Sequence, residues 1–235
     1  MQRLLLADRV KSREDSFLAP LLPALSQVYN VSFLSLGPGE CLERAIRESD
    51  VVWLEWCWDH AVWATRSGAL EGKPCVVRLH SIEALQTDYP SQVDWSAVSC
   101  LVTVGEDITD VLCTRFPQIA RQVPIETIPN GIDLRRFASG KPERHHIAWV
   151  GHLEPKKNPM LLLQVAHRLQ QVSAQYRISV AGLCTDLRTG RYLQHMIPML
   201  QLQHTLKFDG VVREMPAWYA DKGVLLSTTM LKVSG

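Results

Sequence analysis

The residues most able to do chemistry lie in the segment I-A-W-V-G-H-L-E-P-K-K-N-P-M-L-L-L at residues 147–163. An apolar run ends in a glycine, and after a short basic loop Asn158 and Pro159 have the residue types of a helix N-cap and a first helical position. The positive end of the helix dipole and the cations Lys156 and Lys157 would favour an anion such as a diphosphate. An ordinary βα loop with solvated lysines has the same pattern, so the local sequence leaves both interpretations open.

A second candidate is the segment I-P-N-G-I-D at residues 128–133. Asn130-Gly131 is a typical turn dipeptide and could close a hairpin. The flanking residues do not alternate between apolar and polar types as hairpin strands should, which argues against a hairpin.

A histidine and a glutamate follow the apolar run at residues 74–79. We expect the loop at residues 80–83 to lie at the carboxyl end of a strand, where α/β sheets bind ligands. Glu83 would then orient His80 or bind hydroxyl groups of a ligand. A more ordinary explanation stays open for each residue. The ring of His80 could form its hydrogen bonds within its own loop, and Glu83 could be exposed to solvent.

Four tryptophans cluster in the sequence: Trp53, Trp56, Trp58 and Trp63. Aromatic faces pack well on carbohydrate, so the cluster could stack on a sugar. Packing in the core and at the domain surface is the interpretation we favour.

The elements that must position these residues are short apolar runs that alternate with amphipathic stretches. Before residue 130 the predicted strands are residues 3–7, 31–36, 50–54, 74–79, 100–104 and 125–128. Helical periodicity predicts helices at residues 17–28, 59–70 and 108–116. Nearly all-apolar strands that alternate with helices indicate parallel sheets covered on both faces, which is a Rossmann-like α/β architecture.

A change of composition divides the chain. Residues 138–146 are polar and rich in turn formers, so we place a linker there, between an N-terminal domain at residues 1–137 and a second domain at residues 147–235. After the linker the alternation restarts, with strands at residues 147–150, 177–181, 205–208 and 223–227 and helices near residues 159–172, 191–202 and 215–220.

Charge and composition exclude several classes of protein. The formal net charge of +1 gives no electrostatic reason to expect a nucleic-acid partner. The six cysteines include no C-x-x-C pair, which indicates reduced, buried thiols, and no His/Cys cluster has the spacing of a metal site. No run approaches the roughly 18 apolar residues of a spanning helix. We therefore expect a cytoplasmic protein without a transmembrane segment, and leave a peripheral membrane contact open.

Taken together and in this order, the segments resemble the retaining glycosyltransferases of family 4, which have the GT-B fold. The matching stretches cover nearly the whole chain and are P-N-G-I-D with Phe137, V-G-H-L with Lys157, V-A-G at residues 180–182, F-D-G-V-V at residues 208–212 and R-L-H-S-I-E at residues 78–83. The resemblance implies two Rossmann-like domains, the first binding a carbohydrate or lipid-linked acceptor and the second a nucleotide-sugar donor. It also implies transfer of a hexosyl unit with retained configuration, without a metal or another cofactor.

The resemblance assigns roles to individual residues. Lys157 matches the lysine that neutralises the donor diphosphate, and His80, with Glu83 beside it, matches a histidine near the reacting sugar. His152 stands where many relatives carry arginine, so one hydrogen bond would replace a permanent charge. The other candidates are Gly151 for the donor phosphates, Asn130, Gly131 and Asp133 for the cleft or hinge, and Gly182, Gly210 and Val211 for the nucleotide side.

Two features depart from the family pattern. The loop after the first strand, residues 6–11, contains no glycine, so Arg9 or Lys11 would have to compensate by charge for the lost backbone approach to phosphate. Family members carry two glutamates seven residues apart after the last strand, but Lys232 falls about where the first would stand and the second is absent. We therefore expect an incomplete, C-terminally truncated second domain with weak or no turnover. The alternative is a non-catalytic fragment that acts at most as a binding module.

Overall fold

The structure is a computed structural model that describes residues 1–10, 13, 16–35, 41–137 and 140–230. The described chain forms two compact units, Met1–Gly131 and the residues from Ile132 onward. Each unit contains one parallel sheet, of six strands in the first and four in the second, which confirms the predicted α/β class with two Rossmann-like sheets. Lys11, residues 138 and 139 of the predicted linker, and Lys232 lie outside the described residues.

The sheet of the first unit is all parallel. Its strands are β1 (Arg3–Asp8), β2 (Asn30–Ser35), β3 (Val51–Glu55), β4 (Cys75–Leu79), β5 (Cys100–Thr103) and β6 (Ile125–Thr127). Their spatial order is β2-β1-β3-β4-β5-β6, and each lies within one residue of its predicted bounds. The order reverses between β1 and β3. At such a switch point a parallel sheet opens a crevice beyond the carboxyl ends of its strands.

The helices of the first unit differ more from expectation than its strands. They are α1 (Leu22–Leu25), α2 (Cys41–Arg47), α3 (Asp59–Arg66), α4 (Ser81–Gln86), α5 (Tyr89–Gln92), α6 (Glu106–Arg115) and α7 (Ile119–Gln122). The single helix predicted at residues 17–28 is wrong, because a 3-10 turn at Ala19–Leu21 leads into the one-turn α1. Pro20 and Pro23 explain the difference, since proline lacks an N–H and fits only the first turn of a helix. The loop predicted at residues 80–83 is instead the start of α4.

Strand β1 shows how the first unit is packed. Successive side chains of a strand point to opposite faces, and Leu5 belongs to the large core cluster on one face. Leu4 and Leu6 pack on the other face against Leu18 and Leu22, which the proline-rich segment supplies. Each such fully buried leucine contributes roughly 1.5–3 kcal/mol, so the short α1 still covers a necessary part of the sheet.

The second unit has the strand order β10-β7-β8-β9, also all parallel. Its elements are β7 (Glu143–Val150), α8 (Pro159–Val172), β8 (Arg177–Ala181), α9 (Leu187–Met199), β9 (Leu206–Gly210), α10 (Met215–Tyr219) and β10 (Lys222–Leu226). The core gathers the buried Trp149, Leu162 and Val180. The order reverses between β7 and β10, which places the switch point of this sheet at the end of β7. Of the helices in the described residues, none has the length and apolar character needed to cross a membrane.

The start of β7 corrects one predicted boundary. The strand begins at Glu143, inside the predicted linker 138–146 and four residues before the predicted Ile147. The polar residues there are satisfied across the sheet, since Glu143 pairs with Arg177 at 2.5 Å and His146 Nε2 lies 2.8 Å from the hydroxyl of Ser179. These partners are more than 30 residues away in the sequence. The polar start of the strand therefore looks like a linker when the sequence is considered alone.

Candidate functional site

The predicted anion site lies where β7 ends and α8 begins. A 3-10 turn at Pro155–Lys157 leads to Asn158, which has a left-handed backbone with φ of 50°. The side chain of Asn158 accepts a hydrogen bond from the backbone N–H of Leu161 at 3.2 Å, and Pro159 takes the first helical position, as predicted. This cap fixes the loop against a helix of 14 residues, whose positive end favours negative charge at the loop.

Gly151 and Lys157 pack against each other in this loop. Gly151 has φ of 154°, and a Cβ atom there would lie 3.1 Å from Cγ of Lys157. The glycine therefore lets the aliphatic part of Lys157 lie along the backbone at the end of β7. In the described part of the chain, the side chains of His152, Lys156 and Lys157 form no ion pair, so the positive charges of the two lysines are not neutralised there by a carboxylate.

The segment after β10 is bonded to the same loop. The hydroxyl of Thr228 donates to the carbonyl of Lys157 at 2.7 Å and accepts from the indole N–H of Trp149 at 2.9 Å. The backbone N–H of Met230 donates to the carbonyl of Lys156 at 3.1 Å. β7 and β10 flank the switch point of the second unit, and these hydrogen bonds join the loops that follow them.

Three of the predicted glycines meet at this edge of the second sheet. Gly151 donates its N–H to the carbonyl of Ala181 at 3.0 Å, and Gly182 donates to that of Gly210 at 2.7 Å. A Cβ atom on Gly182 would lie 1.9 Å from the carbonyl oxygen of Gly151, so only glycine fits there. Val211 follows Gly210 and is 61% exposed. The loops after β7, β8 and β9 therefore form a continuous main-chain edge.

At the switch point of the first unit, Glu55 is the centre of a buried polar cluster. Its Oε1 atom lies 2.8 Å from His80 Nε2 and accepts from Arg78 at 3.1 Å, and its Oε2 atom accepts from the indole N–H of Trp53 at 3.1 Å. Arg78 also donates to the side-chain oxygen of Asn130. Glu55 is not among the site residues predicted from the sequence, although a carboxylate that ends an apolar strand is a possible signal.

The surroundings of Glu83 differ from those that the sequence predicted. Its carboxylate is fully buried and accepts from the backbone N–H of Cys57 at 2.9 Å, while its Oε2 atom has no hydrogen-bond partner in the described residues. Burial raises the pKa of Glu83 to about 7, although the Cys57 hydrogen bond acts in the opposite direction. The ring of His80 is thus held by Glu55 rather than by Glu83, and Glu83 is not exposed.

Asp8 adds a third buried carboxylate to this edge. It ends β1 and accepts a hydrogen bond from Ser16. Burial raises the pKa of Asp8, and the nearby charge of Glu55 acts in the same direction. Arg9, which was expected to compensate by charge for the missing glycines, is already paired with Asp59 at 2.6 Å.

The remaining residues of the I-P-N-G-I-D segment lie close to the division between the units, which falls between Gly131 and Ile132. A Cβ atom on Gly131 would meet no described atom within 4 Å, so no close packing against the described residues requires glycine there. Asp133 pairs with Arg135 at 2.9 Å, and this contact lowers the pKa of the Asp133 carboxyl. Of this segment, the structure links Asn130 directly to the cluster around Glu55.

The tryptophan cluster has both packing and exposed members. Trp56 stacks on the ring of His80 with a centroid distance of 4.0 Å, and Phe17 lies 5.2 Å from the same ring. Trp53 is bonded to Glu55, whereas Trp63 is 41% exposed. The aromatic residues nearest His80 therefore pack on a candidate site residue, and packing is the role that the contacts show for them.

One group of side chains at the opposite edge of the second sheet has the composition of a metal site. Glu143, His146 and Asp221 each offer a ligand atom within 4.8 Å of the others. Both carboxylates are already paired with cations, Glu143 with Arg177 at 2.5 Å and Asp221 with Lys222 at 2.7 Å. The group is therefore best described as an ion-pair network.

Comparison with known proteins adds a likeness in structure only. A scan against protein-family models gave no match, and neither did a search of curated proteins. Among solved structures, the chain is similar to the Anabaena protein HepE in complex with UDP, with a TM-score of 0.69 and 14% identity over 97% of this chain and 74% of HepE. HepE has also been solved in complex with UDP-glucose.

Two further solved structures agree with this likeness. Sucrose-phosphate synthase from Thermosynechococcus elongatus has a TM-score of 0.67 and 11% identity over 100% of this chain and 77% of its own. A glycosyltransferase from Rickettsia africae has a TM-score of 0.69 and 11% identity over 97% of this chain and 73% of its own. The two parallel sheets thus match the α/β fold of GT-B glycosyltransferases.

Proposed function

We propose that this chain is a retaining glycosyltransferase of family 4, which moves a hexosyl unit from a nucleotide sugar to an acceptor. The observation that carries the proposal is the loop at the end of β7, where Lys157 lies along Gly151 at the start of α8. An unpaired cation beside a helix N-terminus suits a diphosphate. The likeness in fold to HepE, which was solved with UDP and UDP-glucose, supports a nucleoside diphosphate sugar as the donor.

The proposed chemistry depends on charge at the leaving group. Departure of a nucleoside diphosphate builds negative charge on the phosphate oxygens, and a fixed ammonium at Lys157 would stabilise that charge without a metal. The main-chain edge formed by Gly151, Gly182 and Gly210 would allow close backbone approach on the nucleotide side. His152 would add one hydrogen bond where a family arginine would add a permanent charge.

In this proposal the first unit supplies the sugar contact and the acceptor site. His80 would lie near the transferred sugar, and the acceptor would be a carbohydrate or a lipid-linked saccharide. A lipid-linked acceptor would bring the protein to a membrane surface as a peripheral protein, with the chain in the cytoplasm where nucleotide sugars are made.

Titration calorimetry with UDP, GDP and ADP tests the donor site. Loss of one charge-assisted contact corresponds to about 1.5–3 kcal/mol, so Lys157→Ala should weaken binding of the preferred nucleotide by roughly 10- to 100-fold. Lys156→Ala is the matched control, because Lys156 is the neighbouring lysine, is exposed and offers the loop only its backbone carbonyl. Its affinity should stay within a few-fold of the unmodified chain.

Transfer itself needs a separate measurement. Release of UDP from UDP-glucose in the presence of saccharide acceptors, with the anomeric configuration of the product read by NMR, would support a retaining transferase. An inverted product would contradict retention. Failure of all three nucleotides to bind, or equal binding by the Lys157→Ala variant, would contradict the donor site.

A further inference from the structure

Within the described residues, every hydrogen bond to the Glu55 side chain comes from a group that can donate. Arg78 and the Trp53 indole have no acceptor, and the guanidinium of Arg78 lies 3.1 Å from Oε1 of Glu55. A carboxylate surrounded in this way is best satisfied as an anion, since a protonated oxygen would face a donor. His80 Nε2, at 2.8 Å from the same oxygen, must then carry a hydrogen and donate it.

The other ring nitrogen of His80 is in a different situation. Nδ1 has no hydrogen-bond partner in the part of the chain that the structure describes. In a neutral imidazole with its hydrogen on Nε2, Nδ1 is the acceptor. The free position on the ring is therefore an acceptor, and hydroxyl groups are donors that sugars supply in number.

We propose that Glu55 is a positioning residue that holds His80 in the Nε2–H tautomer, so that Nδ1 accepts a hydrogen bond from a hydroxyl of the bound sugar. The identity of the ligand rests on the proposed function, whereas the role of Glu55 toward the ring rests on the geometry of the first unit alone.

Aromatic packing fixes the plane of the same ring. Trp56 stacks on His80 with an interplanar angle of 26°, and Phe17 lies at 32° to it. Trp56 has φ of 71°, a left-handed conformation that bulky residues rarely adopt and that the surrounding structure must hold in place. Its backbone N–H donates to the carbonyl of Arg78 at 2.9 Å. The hydrogen bond to Glu55 then selects the rotation of the ring within that plane.

The pair belongs to a larger network. Arg78 bonds both Glu55 and the side-chain oxygen of Asn130, so four side chains from the ends of β3, β4 and β6 form one chain of contacts. Through this network the I-P-N-G segment is coupled to the orientation of His80. Glu55 is the member that contacts the ring, and it is therefore the one to change.

NMR of the histidine ring nitrogens tests the role of Glu55 directly. In the unmodified 235-residue chain near pH 8, His80 should show a protonated Nε2 and a lone pair on Nδ1, with its signals assigned by comparison with a His80→Gln variant. In Glu55→Leu no acceptor remains opposite Nε2, so we expect loss of the fixed Nε2–H signature. The matched control is Glu126→Leu, a change of an exposed glutamate on β6 of the same sheet, which should leave the spectrum unchanged.

The outcomes separate the inference from the proposed function. A hydrogen on Nδ1 in the unmodified chain, or an unchanged His80 spectrum in Glu55→Leu, would overturn the role of Glu55. If Glu55→Leu fails to fold, the spectrum of the unmodified chain alone tests the tautomer. Saturating UDP-glucose should then shift the Nδ1 signal, whereas UDP binding without such a shift would overturn the sugar contact. Absence of any nucleotide binding would refute the donor site and leave the tautomer result as it stands.

Discussion

Replacement of Glu83 by glutamine should remove a pH-dependent destabilisation of the first unit. Burial raises the pKa of Glu83 from an ordinary value of 4.5 to about 7. The folded chain therefore holds this proton to higher pH than the unfolded chain, and the contribution of Glu83 to stability falls as the pH rises from about 4.5 through about 7. The difference between the two pKa values corresponds to about 3 kcal/mol.

A second buried group acts in the opposite direction over nearly the same range. Burial lowers the pKa of His60 to about 4, so the unfolded chain binds more protons there and the fold loses stability as the pH falls from about 6.5 to about 4. The unmodified chain should thus show a flatter stability profile than either group would give alone. The difference between the unmodified chain and Glu83→Gln isolates Glu83, because His60 contributes equally to both.

Urea unfolding at pH 4.5 and pH 8.5 measures this difference. We expect the two chains to be about equally stable at pH 4.5, and Glu83→Gln to be more stable by about 2–3 kcal/mol at pH 8.5. The control is Glu71→Gln, an exposed glutamate of the same unit whose replacement should have no pH-dependent effect. A Glu83→Gln effect that is the same at both pH values, or that reverses in sign, would refute the argument from burial.

Two further predictions concern the second unit. Gly182→Ala should destabilise it by about 3 kcal/mol, since the new Cβ would meet the carbonyl oxygen of Gly151. Gly210 has φ of 70° but open space around it, so Gly210→Ala should cost only about 1–2 kcal/mol. Similar losses in urea unfolding would contradict the packing argument. Asn158→Ala should lose both the cap and the favoured left-handed backbone, about 2 kcal/mol, and Asn158→Gly only a few tenths. Thermal unfolding would show the order, and equal stability of the two variants would contradict it.

The sequence predicted the sheets well because their strands are almost wholly apolar. For the same reason, the predicted strand ends of the first unit lie within one residue of the observed ends. The segment at residues 17–28 failed because its leucines have helical spacing, while Pro20 and Pro23 forbid a long helix. The start of β7 failed because its residues are polar and are satisfied only by partners such as Arg177, which sequence order does not reveal.

The candidate sites divide in the same way. The loop from Gly151 to Asn158 is local, so its cap and its turn could be predicted from residue types. The cluster around Glu55 joins this residue to Arg78 and His80, which are 23 and 25 positions away, and depends on which strands are neighbours. Only the strand order, with its reversal between β1 and β3, brings Asp8 and Glu55 to the same place.

The main-chain edge of the second unit has a consequence for tolerance to sequence change. The loops after β7, β8 and β9 are joined by backbone hydrogen bonds through Gly151, Gly182 and Gly210, so side chains are not needed to join them. A surface of amides and carbonyls makes few demands on side chains, apart from the glycines at positions 151, 182 and 210, of which Gly182 has the least space. Extensive replacement of surrounding residues can therefore leave its shape intact. Random mutagenesis of these loops should accordingly yield folded variants at most positions and reject nearly every change at Gly182.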